Sequence, residues 1–194
     1  MKRIIAIIIA AICLLSTIAA YADFKNPPIA DGAEYLTEEQ NNELSAQLDK
    51  IREKYSFDVV FVSEKSLSAS DEQAAADDIY DYNGYGYGES YDGILFYIAK
   101  AERKYHFSTC GSGETVFNGN GLKYLEKKVV PFLTEGDYYA AVKAYAGCAE
   151  ELLKMAAEGK PFNKSQHGTK YILCVIAGAV LLPLLIAYFM MQNK

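Results

Sequence analysis

Residues 91–113 constrain the fold more than any other stretch, because they predict a β-hairpin at the centre of a sheet. Residues 93–99 form an unbroken apolar run of strand length, typical of a strand buried on both faces. A short polar turn follows. Residues 104–109 then alternate, with Tyr105, Phe107 and Thr109 on one face and Lys104, His106 and Ser108 on the other. That period predicts a half-exposed partner strand.

Both ends of the chain carry long apolar runs. Lys2 and Arg3 precede an apolar run from residue 4 to about 20, and Ala20-Tyr21-Ala22 has the small-x-small form of a signal-peptidase site. This pattern predicts a signal peptide over residues 1–22, with an uncleaved anchor as the alternative. Residues 171–191 are uncharged and long enough to cross a hydrocarbon core of about 30 Å, so they predict a transmembrane helix.

These ends define the expected organisation and location. Residues 23–160 have the length of one α/β domain, 161–170 are a linker and 192–194 a short tail. A cleaved signal followed by one membrane helix predicts a single-pass protein of the cell membrane with an extracytoplasmic, that is extracellular, domain. Lys160, Lys164 and Lys170 precede the helix and oppose that orientation under the positive-inside rule.

The domain is acidic. All 25 acidic residues lie within residues 23–170, whereas three of the 19 basic residues (Lys2, Arg3 and Lys194) lie outside them, which leaves about nine net negative charges. Nucleic-acid binding relies on a basic surface, so this balance argues against it. It also argues against adsorption to anionic lipid.

Cys110 and Cys148 are the two cysteines in the predicted exported domain. Two thiols in an oxidising compartment predict a disulfide between them. A catalytic thiol is the alternative, but no histidine stands in a suggestive position.

Capping signals and apolar periodicity locate the helices. Residues 37–40 and 70–73 are capping boxes, and the helices that they begin flank a β-branched strand at residues 57–62. After the hairpin, residues 122–133 predict a helix whose length Pro131 limits, and Asp137 caps a last helix. The order α-β-α-β-β-α-α predicts an α/β fold in which helices cover a mixed sheet.

The candidate chemistry is oxygen chemistry. The tyrosine–glycine segment at residues 82–91 follows a helix and opens a strand, which excludes a dinucleotide fingerprint, and neither His106 nor His167 has a second ligand at metal spacing. Carboxylates at one sheet edge could hold Ca²⁺ or Mg²⁺, the alternative being a solvated acidic surface. The candidates are Asp31, Asp77, Asp78, Asp81 and Asp92.

Several segments, in order, resemble the TPM domain family. They are Ile29-Ala30-Asp31, the strand at 57–62, Tyr-Gly-Tyr-Gly before Asp92-Gly93-Ile94-Leu95, Arg103, Gly111-Ser112-Gly113 and Gly136-Asp137-Tyr138. The resemblance covers residues 29–157. It implies a three-layer α/β/α sandwich, and its relatives are linked to photosystem II repair, acid phosphatase activity, modulation of an acetylcholine receptor, and chaperone-like or calcium-binding behaviour.

The resemblance also implies a pocket. Asp31 and Asp92 match the family's acidic positions and become the candidate metal ligands, while Gly119 stands where a further aspartate is usual. Gly111, Ser112, Gly113 and Asn118 belong to the candidate pocket loop. No catalytic residue is assigned.

Three functions follow as hypotheses. The first is an interaction, assembly or quality-control module for other membrane or exported proteins. The alternatives are a weak metal-dependent acid phosphatase that uses the acidic pocket, and a passive Ca²⁺-binding domain. The sequence contains no complete catalytic set, so whether the chain is an enzyme stays open.

Overall fold

A computed structural model describes residues 26–160 and 162 of the protein. The chain divides into two compact units, the first ending at Cys110 and the second beginning at Gly111. The predicted signal peptide (1–22) and transmembrane helix (171–191) lie outside the described residues. Within the described part, no helix combines the length and apolar character that a membrane crossing requires.

The first unit is a four-stranded mixed sheet with two helices. Its elements in chain order are β1 (Ile29–Asp31), α1 (Glu38–Tyr55), β2 (Asp58–Glu64), α2 (Glu72–Asn83), β3 (Gly93–Ala99) and β4 (Lys104–Cys110). The spatial order is β1-β2-β3-β4. The β1–β2 and β2–β3 pairs are parallel and the β3–β4 pair is antiparallel, which confirms the predicted mixed sheet and hairpin.

Strand β1 is a sheet element that the sequence patterns did not predict. Ile29 pairs with Phe61 and Asp31 with Ser63 in a parallel register. A parallel partner far along the chain leaves no local signal, because three residues are too short to show a period. The pairing extends one residue before β1, since the Phe61 N–H donates to the Pro28 carbonyl at 2.9 Å.

Helix α1 begins as its sequence predicts. The Gln40 amide N–H donates to the Thr37 hydroxyl at 3.2 Å, and the Thr37 N–H donates to the Gln40 side-chain oxygen at 2.9 Å. This reciprocal capping box satisfies two of the donors that a helix start leaves open. The first turn carries acidic residues and the last carries Arg52 and Lys54, so both ends complement the helix dipole.

Helix α2 is capped by Asp71 and not by the predicted Ser70. The Asp71 carboxylate accepts from the Ala74 N–H at 2.8 Å, an interaction one residue out of register with the expected box. The helix packs on β3 and β4. Its buried side shares a core with one face of the sheet, made of Val60, Val62, Ala75, Ala76, Tyr80, Tyr85, Leu95, Tyr97 and Ala99.

The polar face of β4 is not the open face that its alternation predicted. The Ser108 hydroxyl is buried and donates to the Asp77 carboxylate of α2 at 2.6 Å, and the Lys104 amine contacts Glu72 at 2.7 Å. Helix α2 therefore covers this face and supplies carboxylates to its polar side chains. Alternation identified the two faces correctly but not what lies on them.

The second unit contains α3 (Gly113–Val116), α4 (Gly119–Glu135) and α5 (Tyr138–Ala157), of which α4 and α5 pack together. Asp137 caps α5 as predicted, its carboxylate accepting from the Ala140 N–H at 2.9 Å. Helix α4 runs through Pro131 to Glu135, so the prediction that Pro131 limits its length is wrong. The predicted three-layer packing stays a prediction.

The second unit also holds the start of the linker. The Phe162 ring stacks on Tyr124 of α4 with 4.8 Å between centroids, and the Asn118 side-chain amide lies 3.5 Å from the Phe162 carbonyl. The turn before it is closed by the Gly159 and Lys160 N–H groups, which donate to carbonyls of the last turn of α5. Phe162 is therefore fixed against α4.

Candidate functional site

The first unit has two polar sheet ends. We call the end where the parallel strands finish the carboxyl end, and the opposite end the amino end. At the carboxyl end, the Ser63 hydroxyl donates to the Asp31 carboxylate and accepts from the Ala33 N–H at 3.1 Å. The other Asp31 oxygen accepts from the Leu36 N–H at 2.7 Å. Both oxygens of Asp31 thus have partners from their own chain.

Further side chains close the carboxyl end. The Tyr97 hydroxyl donates to the Glu64 carboxylate at 2.7 Å, and burial followed by this bond raises the pKa of Tyr97. The Lys100 amine donates to the Ala33 carbonyl at 2.7 Å and lies over the Tyr35 ring. Open α/β sheets usually bind ligands at this end. Here the polar groups bind each other.

The amino end is built around Asp58, which is 3% exposed. Its carboxylate forms an ion pair with Arg52, the last-turn arginine of α1, and accepts from the Gly86 N–H at 2.8 Å. The Arg52 guanidinium also lies over the Tyr87 ring, 5.4 Å from its centroid. One buried carboxylate therefore joins α1, β2 and the segment that follows α2.

That segment is the main part of the tyrosine–glycine loop, which we define as residues 82–91; its first two residues, Tyr82 and Asn83, are also the last two of α2. Tyr87 and Asp92 exchange two backbone hydrogen bonds of 3.0 Å, and the Asp58 N–H donates to the same Asp92 carbonyl at 3.0 Å. Gly86 has φ 104°, and a Cβ there would lie 2.6 Å from the Tyr91 carbonyl, so only glycine fits. After Asn83 the loop contains no helix or strand, yet its backbone is fixed at several points.

A buried tyrosine of α2 holds the loop through a hydrogen bond to its main chain. The Tyr80 hydroxyl of α2 donates to the Tyr91 carbonyl at 2.8 Å, and the Tyr85 ring packs 6.4 Å from the Tyr80 ring. Burial, with Asp58 second, raises the pKa of both Tyr80 and Tyr85. These two tyrosines point inward, whereas Tyr82 and Tyr91 are 86% and 56% exposed. The loop therefore combines a buried aromatic base with exposed aromatic side chains.

The candidate metal ligands Asp31 and Asp92 lie at opposite ends of the sheet. Asp31 pairs with Ser63 late in β2, whereas Asp92 directly precedes Gly93, which pairs with Asp58 at the start of β2. The two positions on β2, Asp58 and Ser63, are five residue steps apart, about 16 Å at 3.3 Å per residue. Ca²⁺ ligands lie about 2.3–2.6 Å from the ion, so the two aspartates cannot share one.

The predicted Ca²⁺ or Mg²⁺ site built on both aspartates is therefore corrected. The register that separates them comes from parallel pairing of β1, which the sequence did not reveal. Among the described residues, no group of three or more histidine, cysteine or acidic side chains is arranged to hold a metal ion. Asp77 is engaged by Ser108, while Asp78 and Asp81 are exposed on α2.

The candidate pocket loop belongs to the second unit. Gly111 has φ 59°, Ser112 precedes α3 without a side-chain capping bond, and Gly113 is the first residue of α3. Asn118 caps α4, its side-chain oxygen accepting from the Asn120 and Gly121 N–H groups at 3.0 and 3.2 Å. The Asn118 side chain thus has a structural role at a helix start, and a pocket formed by these residues stays a prediction.

The two cysteines are free thiols in the structure, Cys110 half-buried and Cys148 buried. The predicted disulfide between them is thus not formed here, and its formation in the exported protein stays a prediction. Burial, then Glu151, raises the pKa of Cys148 to about 12 against the opposing effect of Lys128. A thiol that stays protonated at neutral pH is a poor nucleophile.

Sequence reasoning missed Asp58 and Asp49. A charged residue that opens an otherwise apolar strand was the available signal for Asp58. Asp49, on α1, has a buried oxygen without a hydrogen-bond partner. Burial raises the pKa of Asp49, Glu53 and Asp58 raise it further, and Arg52 lowers it. The amino end thus concentrates carboxylates around one arginine.

The fold and these two ends define a mixed α/β domain with a fixed aromatic loop. Residues 29–151 match the family model described as the TPM domain, so the chain belongs to the TPM domain family. This match confirms the resemblance found in the sequence. The match defines a domain family, and it assigns neither a substrate nor a partner.

Solved structures show the same fold. The N-terminal domain of a protein from P. gingivalis is 17% identical with a TM-score of 0.60, and the alignment covers 73% of this chain and 90% of that one. The N-terminal domain of cg2496 from Corynebacterium glutamicum is 15% identical with a TM-score of 0.55, and the alignment covers 68% of this chain and 83% of that one. The BA42 protein from Bizionia argentinensis is 16% identical with a TM-score of 0.54, and the alignment covers 68% of this chain and 88% of that one. No curated protein matches the chain.

Proposed function

We propose that the chain is an interaction module that binds other membrane or exported proteins through the tyrosine–glycine loop. In this proposal, the apolar segment at residues 171–191 anchors the chain in the cell membrane and residues 23–160 lie outside. An assembly or quality-control role for the bound proteins is the finer form of the same proposal.

The observation that carries the proposal is the contrast within the loop between a fixed backbone and exposed rings. Four hydrogen bonds, from Gly86, Tyr87, Asp92 and the Tyr80 hydroxyl, hold the main chain. Tyr82 and Tyr91 are the exposed large hydrophobic side chains of the described residues. A binding surface gains affinity when its aromatic groups are held in place before the partner arrives.

The carboxylates give weaker support to a catalytic role. Asp31 and Asp58 have their oxygens engaged by neighbouring donors, and Asp92 lies at the other sheet end from Asp31. A phosphatase that uses both Asp31 and Asp92 would need them around one cation. The distance between Asp31 and Asp92 therefore weighs against the phosphatase and Ca²⁺ alternatives that depend on both.

The proposal is tested by photocrosslinking in cells. A photoreactive phenylalanine derivative replaces Tyr82 or Tyr91 in the full chain, and adducts are resolved by mass spectrometry after irradiation. We expect the same partner protein from both positions, because the proposal assigns both rings to one binding surface.

The matched control carries the same derivative at Glu135, an exposed residue of the second unit. Adducts that are as abundant and as diverse from position 135 as from 82 and 91 would show that the loop is not a binding surface. A second control, Gly86→Ala, disturbs the loop backbone, and we expect it to reduce adducts at both tyrosine positions.

A further inference from the structure

The carboxyl-terminal end of α2 is held by a residue from the beginning of the described chain. The side-chain amide of Asn26 donates to the carbonyl of Asn83, the last residue of α2, which lies 57 positions further along the chain. The carbonyls of the turn before it accept from groups within α2 and the loop. Because Tyr82 and Asn83 also begin the tyrosine–glycine loop, Asn26 holds the point from which the loop starts.

This end of α2 has no cation of its own. The carboxyl-terminal end of a helix is its negative pole, and a lysine, arginine or other cation there stabilises the helix. Helix α1 has Arg52 and Lys54 in its last turn, whereas the last turn of α2 has no basic residue. The ion pair that α2 makes within the described residues, Glu72 with Lys104, lies in its first turn. The end that Asn26 contacts is therefore the end that a further cation would stabilise.

The sequence beside Asn26 provides such cations. Lys25 precedes it directly, and cleavage of the predicted signal peptide after Ala22 leaves a free α-amino group on Asp23. An α-amino group is mostly protonated at neutral pH. Three residues span at most about 11 Å, which keeps this group near the Asn26 contact. In an uncleaved chain the α-amino group stays at Met1, ahead of the apolar run.

We infer that signal-peptide cleavage creates a contact between residues 23–25 and the carboxyl-terminal end of α2. Lys25 and the new α-amino group lie at the negative pole of the helix, and Asn26 fixes the segment there. Residues 23–25 are outside the described residues, and the Asn26 contact is the observation that places them. A stabilised helix end restricts the start of the loop, so cleavage holds the loop more firmly. The inference rests on the proposed function and adds a regulation of the same loop.

Hydrogen exchange of the loop amides tests the contact of Lys25 in the full chain, purified in detergent. Lys25→Gln should speed exchange across residues 84–91 about two- to fivefold, the effect of losing a cation at a helix end. Lys25→Glu should speed it further, because it places an anion at the negative pole, whereas Lys25→Arg should leave it unchanged. A purely steric role of the lysine side chain would not separate glutamine from glutamate.

The α-amino group is tested separately. Intact mass first shows where the chain begins, and a chain that keeps residues 1–22 would overturn the inference. Acylation of the processed chain at mildly acidic pH, where lysine side chains stay protonated and unreactive, should speed the same exchange about two- to fivefold. A variant with Ala20→Leu and Ala22→Leu lacks the small residues of the cleavage site, and once uncleaved it should exchange at least as fast as the acylated chain.

The matched control is Lys123→Gln, which removes one positive charge from an exposed position of the second unit. Its exchange across residues 84–91 should equal that of the unchanged chain. Equal rates in Lys25→Gln and Lys123→Gln, or no response to acylation, would overturn the inference. Circular dichroism and thermal unfolding check that each variant is folded.

The inference and the proposed function fail in different ways. Exchange that responds to Lys25→Gln and to acylation, without cellular adducts from positions 82 and 91, would support the contact and refute the interaction role. Adducts that persist at both positions, together with exchange that ignores the charge at residue 25, would refute the contact and leave the interaction role standing.

Discussion

The two ends of the sheet each hold a carboxylate, but the two carboxylates differ in burial and in the charge of their partners. At the carboxyl end, Asp31 is partly exposed and is held by uncharged donors, Ser63 and the Leu36 N–H. At the amino end, the Asp58 side chain is 4% exposed and is held by the fully charged Arg52, whose side chain is 13% exposed. The contacts of Asp31 satisfy polar groups at the carboxyl end, whereas the contacts of Asp58 connect the tyrosine–glycine loop to the core.

The difference shows where this domain depends on charge. A buried ion pair contributes little net stability when both partners are present, but loss of one partner leaves an uncompensated charge. A hydroxyl–carboxylate contact at a partly exposed position has no such asymmetry. Changes at the amino end should therefore destabilise more, and should affect the loop first.

Asp58→Ala should give the largest effect. It leaves Arg52 without its buried partner and the Gly86 N–H without its acceptor, so we expect the free energy of unfolding to fall by about 3–5 kcal/mol. Chemical denaturation measures it. Asp58→Asn is the control, since it keeps a side-chain oxygen for Gly86 and should lose less. A loss below about 1 kcal/mol for Asp58→Ala would remove the contrast between the ends.

Gly86→Ala should come next. Its Cβ would lie 2.6 Å from the Tyr91 main chain at a φ of 104°, so the loop must shift, with an expected loss of about 2–3 kcal/mol. Gly88→Ala is the matched comparison, because φ is also positive there but the space is open. It should lose about 1 kcal/mol. Equal losses would mean that the close approach to Tyr91 does not constrain the loop.

Ser63→Ala probes the carboxyl end. It removes the acceptor of the buried Ala33 N–H and one donor to Asp31, so we expect a loss of about 1–2 kcal/mol in thermal or chemical unfolding. Ser63→Thr keeps the hydroxyl and is the control for the polar contact. A loss as large as that of Asp58→Ala would show that the two ends are equivalent.

Asp49→Asn should have the smallest effect, and the opposite sign. The folded-state pKa of Asp49 is raised, so its charged form destabilises the fold above that pKa, and the penalty disappears as the pH falls through it. Because Asp49 is only partly buried and solvent screens its charge, we expect a gain well below about 1 kcal/mol at neutral pH that vanishes in acid. Unfolding curves at several pH values measure it, and a gain that grows in acid would contradict the assignment.

Local patterns predicted the elements whose signals lie within a few residues. The Thr37 capping box, the Asp137 cap and the β3–β4 hairpin each depend on neighbouring residues, and the structure has all three. The prediction that Pro131 limits the length of α4 was wrong, because the helix continues past the proline to Glu135. The Ser70 cap was displaced by one residue, because the adjacent aspartate is an equally good acceptor.

The candidate site was harder to predict, since it depends on register between distant strands. Asp31 and Asp92 both precede glycine in the sequence, which makes them look equivalent. Parallel pairing of β1 with β2 places them at opposite ends. The Arg52–Asp58 pair could have been suspected from a charge at the start of an apolar strand, but its partner and the loop it holds could not.

The stacking of Phe162 on Tyr124 limits how far the second unit can lie from the membrane. If residues 171–191 cross a membrane as proposed, eight residues, 163–170, join the fixed phenylalanine to the bilayer. Fully extended, they span at most about 29 Å at 3.6 Å per residue. The second unit would then be held close to the membrane surface, where it could contact the juxtamembrane parts of other membrane proteins.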